Sequence, residues 1–143
     1  MLYSENGSLV IKIGGSTLGS HDTTLEDIIS LQRRGVSQIV VHGGGDLVTQ
    51  WMAKQGIEAK FVRGLRVTDA PSLDVVCAVL AGLVNKQLVS TINALGGRAV
   101  GVSGVDGGLV KAVIRDHELG FVGKITEIDL RSEERRVGKE CRL

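Results

Sequence analysis

Lys12 is the only charged residue in the run Leu9-Val10-Ile11-Lys12-Ile13, which breaks immediately into Gly14-Gly15-Ser16. A second apolar run, Ile39-Val40-Val41, ends in His42-Gly43-Gly44-Gly45. Glycines placed directly after a β-branched run leave backbone N–H groups open to an anion, because no side chain shields them. An ammonium beside such donors stabilises negative charge on a phosphoryl group in transit. The other reading of Lys12 is an edge-strand side chain reaching solvent. Arg66 lies in Gly64-Leu65-Arg66-Val67-Thr68. Its apolar neighbours and flanking glycine suit a guanidinium aimed into a pocket, where it grips a carboxylate through two hydrogen bonds. A surface salt bridge is the alternative. Lys12, Arg66 and the backbone at Gly14, Gly15, Gly43, Gly44 and Gly45 together suggest an enzyme that handles phosphate and carboxylate.

Better-known nucleotide motifs are missing. No G-x-x-x-x-G-K-[ST] occurs, since Lys124 follows Gly123 without the earlier glycine or the hydroxyl, and no G-x-G-x-x-G opens a helix. His42 ends a strand, where a histidine more commonly fixes the adjoining loop by hydrogen bonding than performs catalysis. His21 and His117 have no metal-ligand spacing to a carboxylate or thiol, so no metal site is expected.

These residues need elements to hold them. Residues 9–13 and 38–41 read as buried strands, too apolar to alternate. Thr23-Thr24-Leu25-Glu26 has the form of a capping box and starts a helix that Gly35 stops. Leu47, Val48, Trp51 and Met52 form the inner stripe of a second helix closed by Gly56, and residues 60–68 suggest a hairpin through Arg63-Gly64. The longest helix spans 72–95, with Cys77 as a small core residue and Asn85-Lys86 exposed or on its polar seam. Gly82 in its interior costs about 1 kcal/mol against alanine, offset by close packing or simply tolerated. Arg98 to Val102 reads as a third parallel strand, and residues 109–114 and 121–128 as two more, paired antiparallel. Alternating strands and helices imply an α/β fold: a three-layer αβα sandwich around a mainly parallel open sheet. Residues 1–130 form one lobe. Residues 131–143 are mostly charged and lack either period, so they read as a read-through tail, with a solvated terminal helix as the structural alternative.

Bulk composition narrows the class. A formal charge of +1 gives no reason to expect nucleic acid or an anionic membrane as partner. No run of about 18 apolar residues and no export leader is evident. Two cysteines, Cys77 and Cys141, make no disulfide framework, so a cytoplasmic setting is the default.

Lys12-Ile13-Gly14-Gly15, His42-Gly43-Gly44-Gly45, Gly64-Leu65-Arg66-Val67-Thr68, Val84-Asn85-Lys86, Val102-Ser103-Gly104-Val105-Asp106-Gly107-Gly108-Leu109 and Leu119-Gly120-Phe121-Val122-Gly123 stand in an order that resembles the amino acid kinase family. Specifically, they are similar to its N-acetyl-L-glutamate-phosphorylating branch. The likeness covers about residues 8–130, and the Gly-Leu-Arg-Val-Thr element separates this branch from relatives that share only the lysine-glycine strand. The resemblance implies transfer of the γ-phosphoryl of ATP, with Mg2+, to the side-chain carboxylate of N-acetyl-L-glutamate, an early step of arginine biosynthesis. By the same resemblance Lys12 stabilises the transition state. Gly14, Gly15, Gly43, Gly44 and Gly45 line the phosphoryl path and substrate, and Arg66 holds the α-carboxylate. Members of the branch are much longer, act as homodimers, and carry the nucleotide pocket and a second lysine in their other half. The expectation is therefore a truncated substrate-side lobe with an open sheet edge, poor solubility and negligible activity alone. Its short N-terminal segment leaves no room for the helix that links subunits in arginine-inhibited hexamers. Two rival readings are a non-catalytic amino-acid-binding or regulatory lobe, and a related kinase for free glutamate or carrier-linked aminoadipate.

Overall fold

The computed structural model describes residues 2–3, 8–14 and 23–129. Strand β1 (Leu2–Tyr3) pairs antiparallel with β2 (Leu9–Ile13), and β2 pairs parallel with β3 (Gln38–His42). The register sets Lys12 opposite Val41 and Ile13 opposite His42. Helix α1 (Thr24–Arg33) connects β2 to β3, and α2 (Gly45–Lys54) leaves β3 directly through the glycine turn. A two-residue turn, Arg63-Gly64 with φ of 51° and 78°, joins β4 (Phe61–Val62) to β5 (Leu65–Arg66). Positive φ at both turn residues matches the right-handed twist of a tight hairpin. Beyond it the long helix runs as α3 (Ala70–Cys77), a π-helical stretch (Ala78–Val84) and α4 (Asn85–Ala94). A third antiparallel pair, β6 (Val110–Ile114) and β7 (Gly123–Ile128), completes the described fold.

One core organises the sheet and helices. Ile13, Ile28, Val48, Met52, Val75, Val79, Val84 and Leu88 are buried together, with Ile11 and Val40 packed against them. The strand period explains the division of β2: Leu9 and Ile13 are buried, whereas Lys12 is exposed on the other face. That second face carries Ile39 and Val41, 44% and 48% exposed, and no described strand pairs with the outer edge of β3. The sole parallel ladder among the described strands is β2–β3, so the parallel character of the sheet rests on that pair.

Several expectations need correction. Residues 98–102 form no strand: the Arg98 N–H and carbonyl are engaged by Gln32, and the Ala99 N–H donates to Asn93 Oδ1. Side chains thus satisfy the groups that a ladder would use. At Thr23 the capping box does not form; its hydroxyl donates to Asp27 Oδ2 at 3.3 Å and makes no bond to the backbone. Cys77 is exposed, because the helix turns Val75, Val79 and part of Val76 inward and leaves Cys77 and Ala78 outward. Trp51 is half-exposed rather than part of the inner stripe, which Val48 and Met52 fill with Leu47 packed beside them. A Cβ at Gly82 would meet nothing within 4 Å, so close packing does not account for that glycine. Finally, the Ala70–Ala94 helix is long and apolar enough by composition to cross a membrane, contrary to expectation. Its Val75, Val79, Val84 and Leu88 are core residues. Gly15, His21, Cys141 and the 131–143 tail lie outside the described residues.

The long helix begins at a built cap. Asp69 Oδ1 accepts from the Ser72 N–H at 3.0 Å, and Pro71 sits in the first turn, where its missing N–H costs nothing. Bonding from the Ser72 hydroxyl, then from its N–H, holds the Asp69 carboxyl below the usual carboxylate range. A lowered native pKa adds stability above the unfolded value near 3.8, and that stability is lost as pH falls through the native one. Acid titrations followed by circular dichroism should therefore show a shallower stability loss below about pH 3.8 for Asp69→Asn, which caps without titrating.

Candidate functional site

Both glycine turns leave the same end of the sheet, because β2 and β3 are parallel neighbours. The Gly43 N–H donates to Ile13 O at 3.2 Å, which fastens the second turn to the end of the first strand. Gly43 is thereby corrected from an anion donor to a structural link, since its N–H is already taken. Gly14 follows Ile13 and is exposed. The first helical bond of α2 runs from Val48 N to Gly44 O at 3.0 Å. The N–H groups of Gly44, Gly45, Asp46 and Leu47 consequently have no intrahelical acceptor and carry the positive end of the helix dipole. Gly44 is buried at φ 149°, and a Cβ there would stand 2.9 Å from Leu80 Cδ2 and 3.4 Å from Val84 Cγ2. Only glycine fits both that backbone and that wall.

Arg66, on β5, reaches across to the first turn of α2. Its Nη2 donates to Gly45 O at 3.1 Å and to Thr49 Oγ1 at 2.8 Å, Nη1 lies 3.1 Å from Met52 Sδ, and the guanidinium stacks 4.8 Å from the Phe61 ring centroid. All these partners are uncharged, so the surface salt-bridge reading is not realised among the described residues. A guanidinium has five N–H donors; the Nε donor and one on Nη1 remain for a ligand. Those two lie on different edges of the planar group, so a two-point grip on a carboxylate requires exchanging the Thr49 or Gly45 contact for a ligand oxygen.

Lys12 stands at the same end of the sheet, two residues before Gly14, with no hydrogen bond or ion pair among the described residues. It lies on the face away from Ile13 and α2, and no bond joins it to Arg66. The structure therefore brings Arg66 to Gly44 and Gly45, and leaves Lys12 beside the first turn as a separate exposed cation.

Sequence reading missed two side chains. Thr49 takes a bond from Arg66 and donates to Gly45 O at 3.0 Å. The spacing of four between Gly45 and Thr49, which stacks them on one helix face, was the available signal. Asn85 is buried, not exposed, and its Nδ2 lies 3.3 Å from His42 Nε2. His42 Nδ1 lies 3.1 Å from Gly43 O, so this histidine bonds the loop as expected.

A model of the amino acid kinase family matches residues 8–137. An acetylglutamate kinase of Dehalococcoides mccartyi strain 195 is 47% identical over 124 residues, covering 87% of this chain and 46% of that one. An acetylglutamate kinase of Cereibacter sphaeroides strain ATH 2.4.9 is 46% identical over 125 residues, 85% of this chain and 43% of its own. The chain thus spans about half the length of the curated relatives it matches. Among solved structures, smu.665 from Streptococcus mutans UA159 superposes with a TM-score of 0.82 at 30% identity, covering 90% of this chain and 54% of that one. The N-acetylglutamate synthase of Neisseria gonorrhoeae, solved with coenzyme A and N-acetyl-glutamate, gives 0.63 at 27% identity, covering 92% and 31%.

Proposed function

Because the chain belongs to the amino acid kinase family, we propose that it supplies the acceptor side of an ATP-dependent phosphorylation of N-acetyl-L-glutamate. The observation that carries this reading is Arg66 fastened to the first turn of α2, which sets a planar cation beside the unpaired N–H groups of Gly44 and Gly45. One anionic end of a dicarboxylic amino acid meets the guanidinium, and the other meets the glycine turns. A side-chain carboxylate is already ionised at neutral pH and attacks without a general base. In the transfer, a carboxylate oxygen forms a new bond to the γ-phosphorus while the bond to the β–γ bridging oxygen breaks, and ADP leaves with that electron pair. Lys12, with the Gly14 and Gly15 backbone, offsets charge on the moving phosphoryl. ATP is the second substrate and brings its magnesium; the described residues hold no cluster of three His, Cys, Asp or Glu to cage a metal ion.

The 143-residue chain alone is expected to turn over far below the ~1–100 s⁻¹ usual for kinases. Its matched relatives carry about as much chain again, with no counterpart in residues 1–143. Joining residues 1–130 to the C-terminal half of the Dehalococcoides relative should restore turnover with N-acetyl-L-glutamate, magnesium and ATP in a coupled assay. Free glutamate should serve poorly. A correctly folded chimera that binds both substrates yet transfers nothing would sink the kinase reading. It would favour instead a non-catalytic amino-acid-binding lobe, the reading supported by the likeness to a synthase solved with N-acetyl-glutamate.

A further inference from the structure

Three side chains outside the phosphoryl path grip the glycine turn from behind. His42 Nδ1 lies 3.1 Å from Gly43 O, and Nε2 lies 3.3 Å from Asn85 Nδ2. Asn85 Oδ1 accepts from Lys86 Nζ at 3.1 Å, and the same ammonium donates to Gly101 O at 3.2 Å. The chemistry at each end fixes the direction of the chain. An ammonium only donates, so Asn85 turns its oxygen to Lys86 and its NH2 to His42. A carbonyl only accepts, so His42 carries its proton on Nδ1. Every link in this relay has matched donor and acceptor. Room for a different arrangement is small: Asn85 is 8% exposed, and a Cβ at Gly101 would overlap its Oδ1.

The peptide that His42 holds is the one that matters. Gly43 C=O and Gly44 N–H belong to a single planar trans unit and point in opposite directions. Gripping the carbonyl from the core side therefore aims the Gly44 N–H away from it. The Gly43 N–H, bonded to Ile13 O, fixes the other side of the same residue. We propose that His42, Asn85 and Lys86 are positioning residues, which orient the Gly43–Gly44 peptide for an anion and tie the turn to the segment around Gly101. The anion's identity rests on the kinase reading above; the orientation of the peptide does not.

The test is nuclear magnetic resonance on the 15N-labelled 143-residue chain, with N-acetyl-L-glutamate titrations by calorimetry alongside. Long-range proton–nitrogen correlations should show the His42 imidazole protonated on Nδ1 and bare on Nε2. Lys86→Met, an exposed change that spares the core, should move the Gly44 amide resonance and weaken N-acetyl-L-glutamate several-fold. Asn85→Leu should move it further, shift the His42 proton towards Nε2 and weaken binding about tenfold, the scale of one neutral hydrogen bond. His42→Asn keeps a donor near Nδ1 and should retain the Gly44 resonance better than His42→Leu, a rescue that mere space-filling would not give. A proton on Nε2 in the parent chain, or a Gly44 amide unmoved by both Lys86→Met and Asn85→Leu, overturns the relay. A parent chain with the Nδ1 proton and a responsive Gly44 amide that ignores N-acetyl-L-glutamate supports the relay and counts against the substrate reading alone.

Discussion

Lys12→Met, placed in the chimera that restores the second half, is expected to lower kcat by about 10²–10³ while leaving the KM for N-acetyl-L-glutamate within a few-fold. That is the scale of removing one preorganised donor from a developing negative charge. Methionine preserves the length and apolar stem of the side chain, so the loss isolates the ammonium. On the proposed function, the effect falls on kcat because the phosphoryl group would need the cation most in the transition state, whereas Arg66 would hold the acceptor's fixed carboxylate. Lys12 stands on an exposed sheet face with no carboxylate to neutralise it among the described residues, so its charge is free for a ligand. A Lys12→Met chimera with unchanged kcat would remove the lysine from the mechanism.

Gly44→Ala should cost roughly 2–6 kcal/mol, the sum of a side chain at a forbidden φ and a methyl group forced into a filled space. At φ 149° and 2.9 Å from Leu80 Cδ2, both terms apply at one atom. Thermal denaturation should drop by about 10 °C, given the ~2–4 °C per kcal/mol typical of chains near this size. Gly45→Ala is the built-in comparison, since a Cβ there meets nothing within 4 Å and its φ is not positive. Its midpoint should stay level or rise slightly. Equal midpoints for the two variants would mean that the wall of Leu80 and Val84 does not constrain the turn.

The sequence showed its elements best where a short-range signal coincided with the tertiary demand. Apolar runs ending in glycine marked β2 and β3, but the expected burial of both faces is not met: Leu9 and Ile13 are buried, whereas Lys12, Ile39 and Val41 are exposed on the other face. Arg63-Gly64 marked the hairpin because its turn requires positive φ at both positions. Failures came where partners distant in sequence decide the outcome. Residues 98–102 look like a strand, yet Gln32 and Asn93 claim their backbone groups, and neither can be foreseen from the run itself. Cys77 sits in a stretch so uniformly apolar that the inward face could not be chosen from the pattern. Asn85 reads as a surface amide until His42, from another element, supplies the partner that makes its burial affordable. In the site, Arg66 was legible through its glycine-flanked setting, whereas the exclusion of Gly43 as a donor depended on a bond to Ile13 that only the folded chain displays.

The wide π-helical stretch from Ala78 to Val84 also governs angular phase along the long helix. An α-helix advances about 100° per residue and a π-helix less, so a one-residue deletion absorbed by tightening to α geometry would nearly preserve the phase. One that left the stretch wide would swing everything beyond it by roughly a quarter turn. Asn85 would rotate off His42 and a neighbour of different chemistry would take its place, while α3 and its cap stayed where they are. The stretch thus behaves as a vernier between the helix start and the glycine turn: its slack lets one residue be lost while Asn85 keeps its bearing on His42.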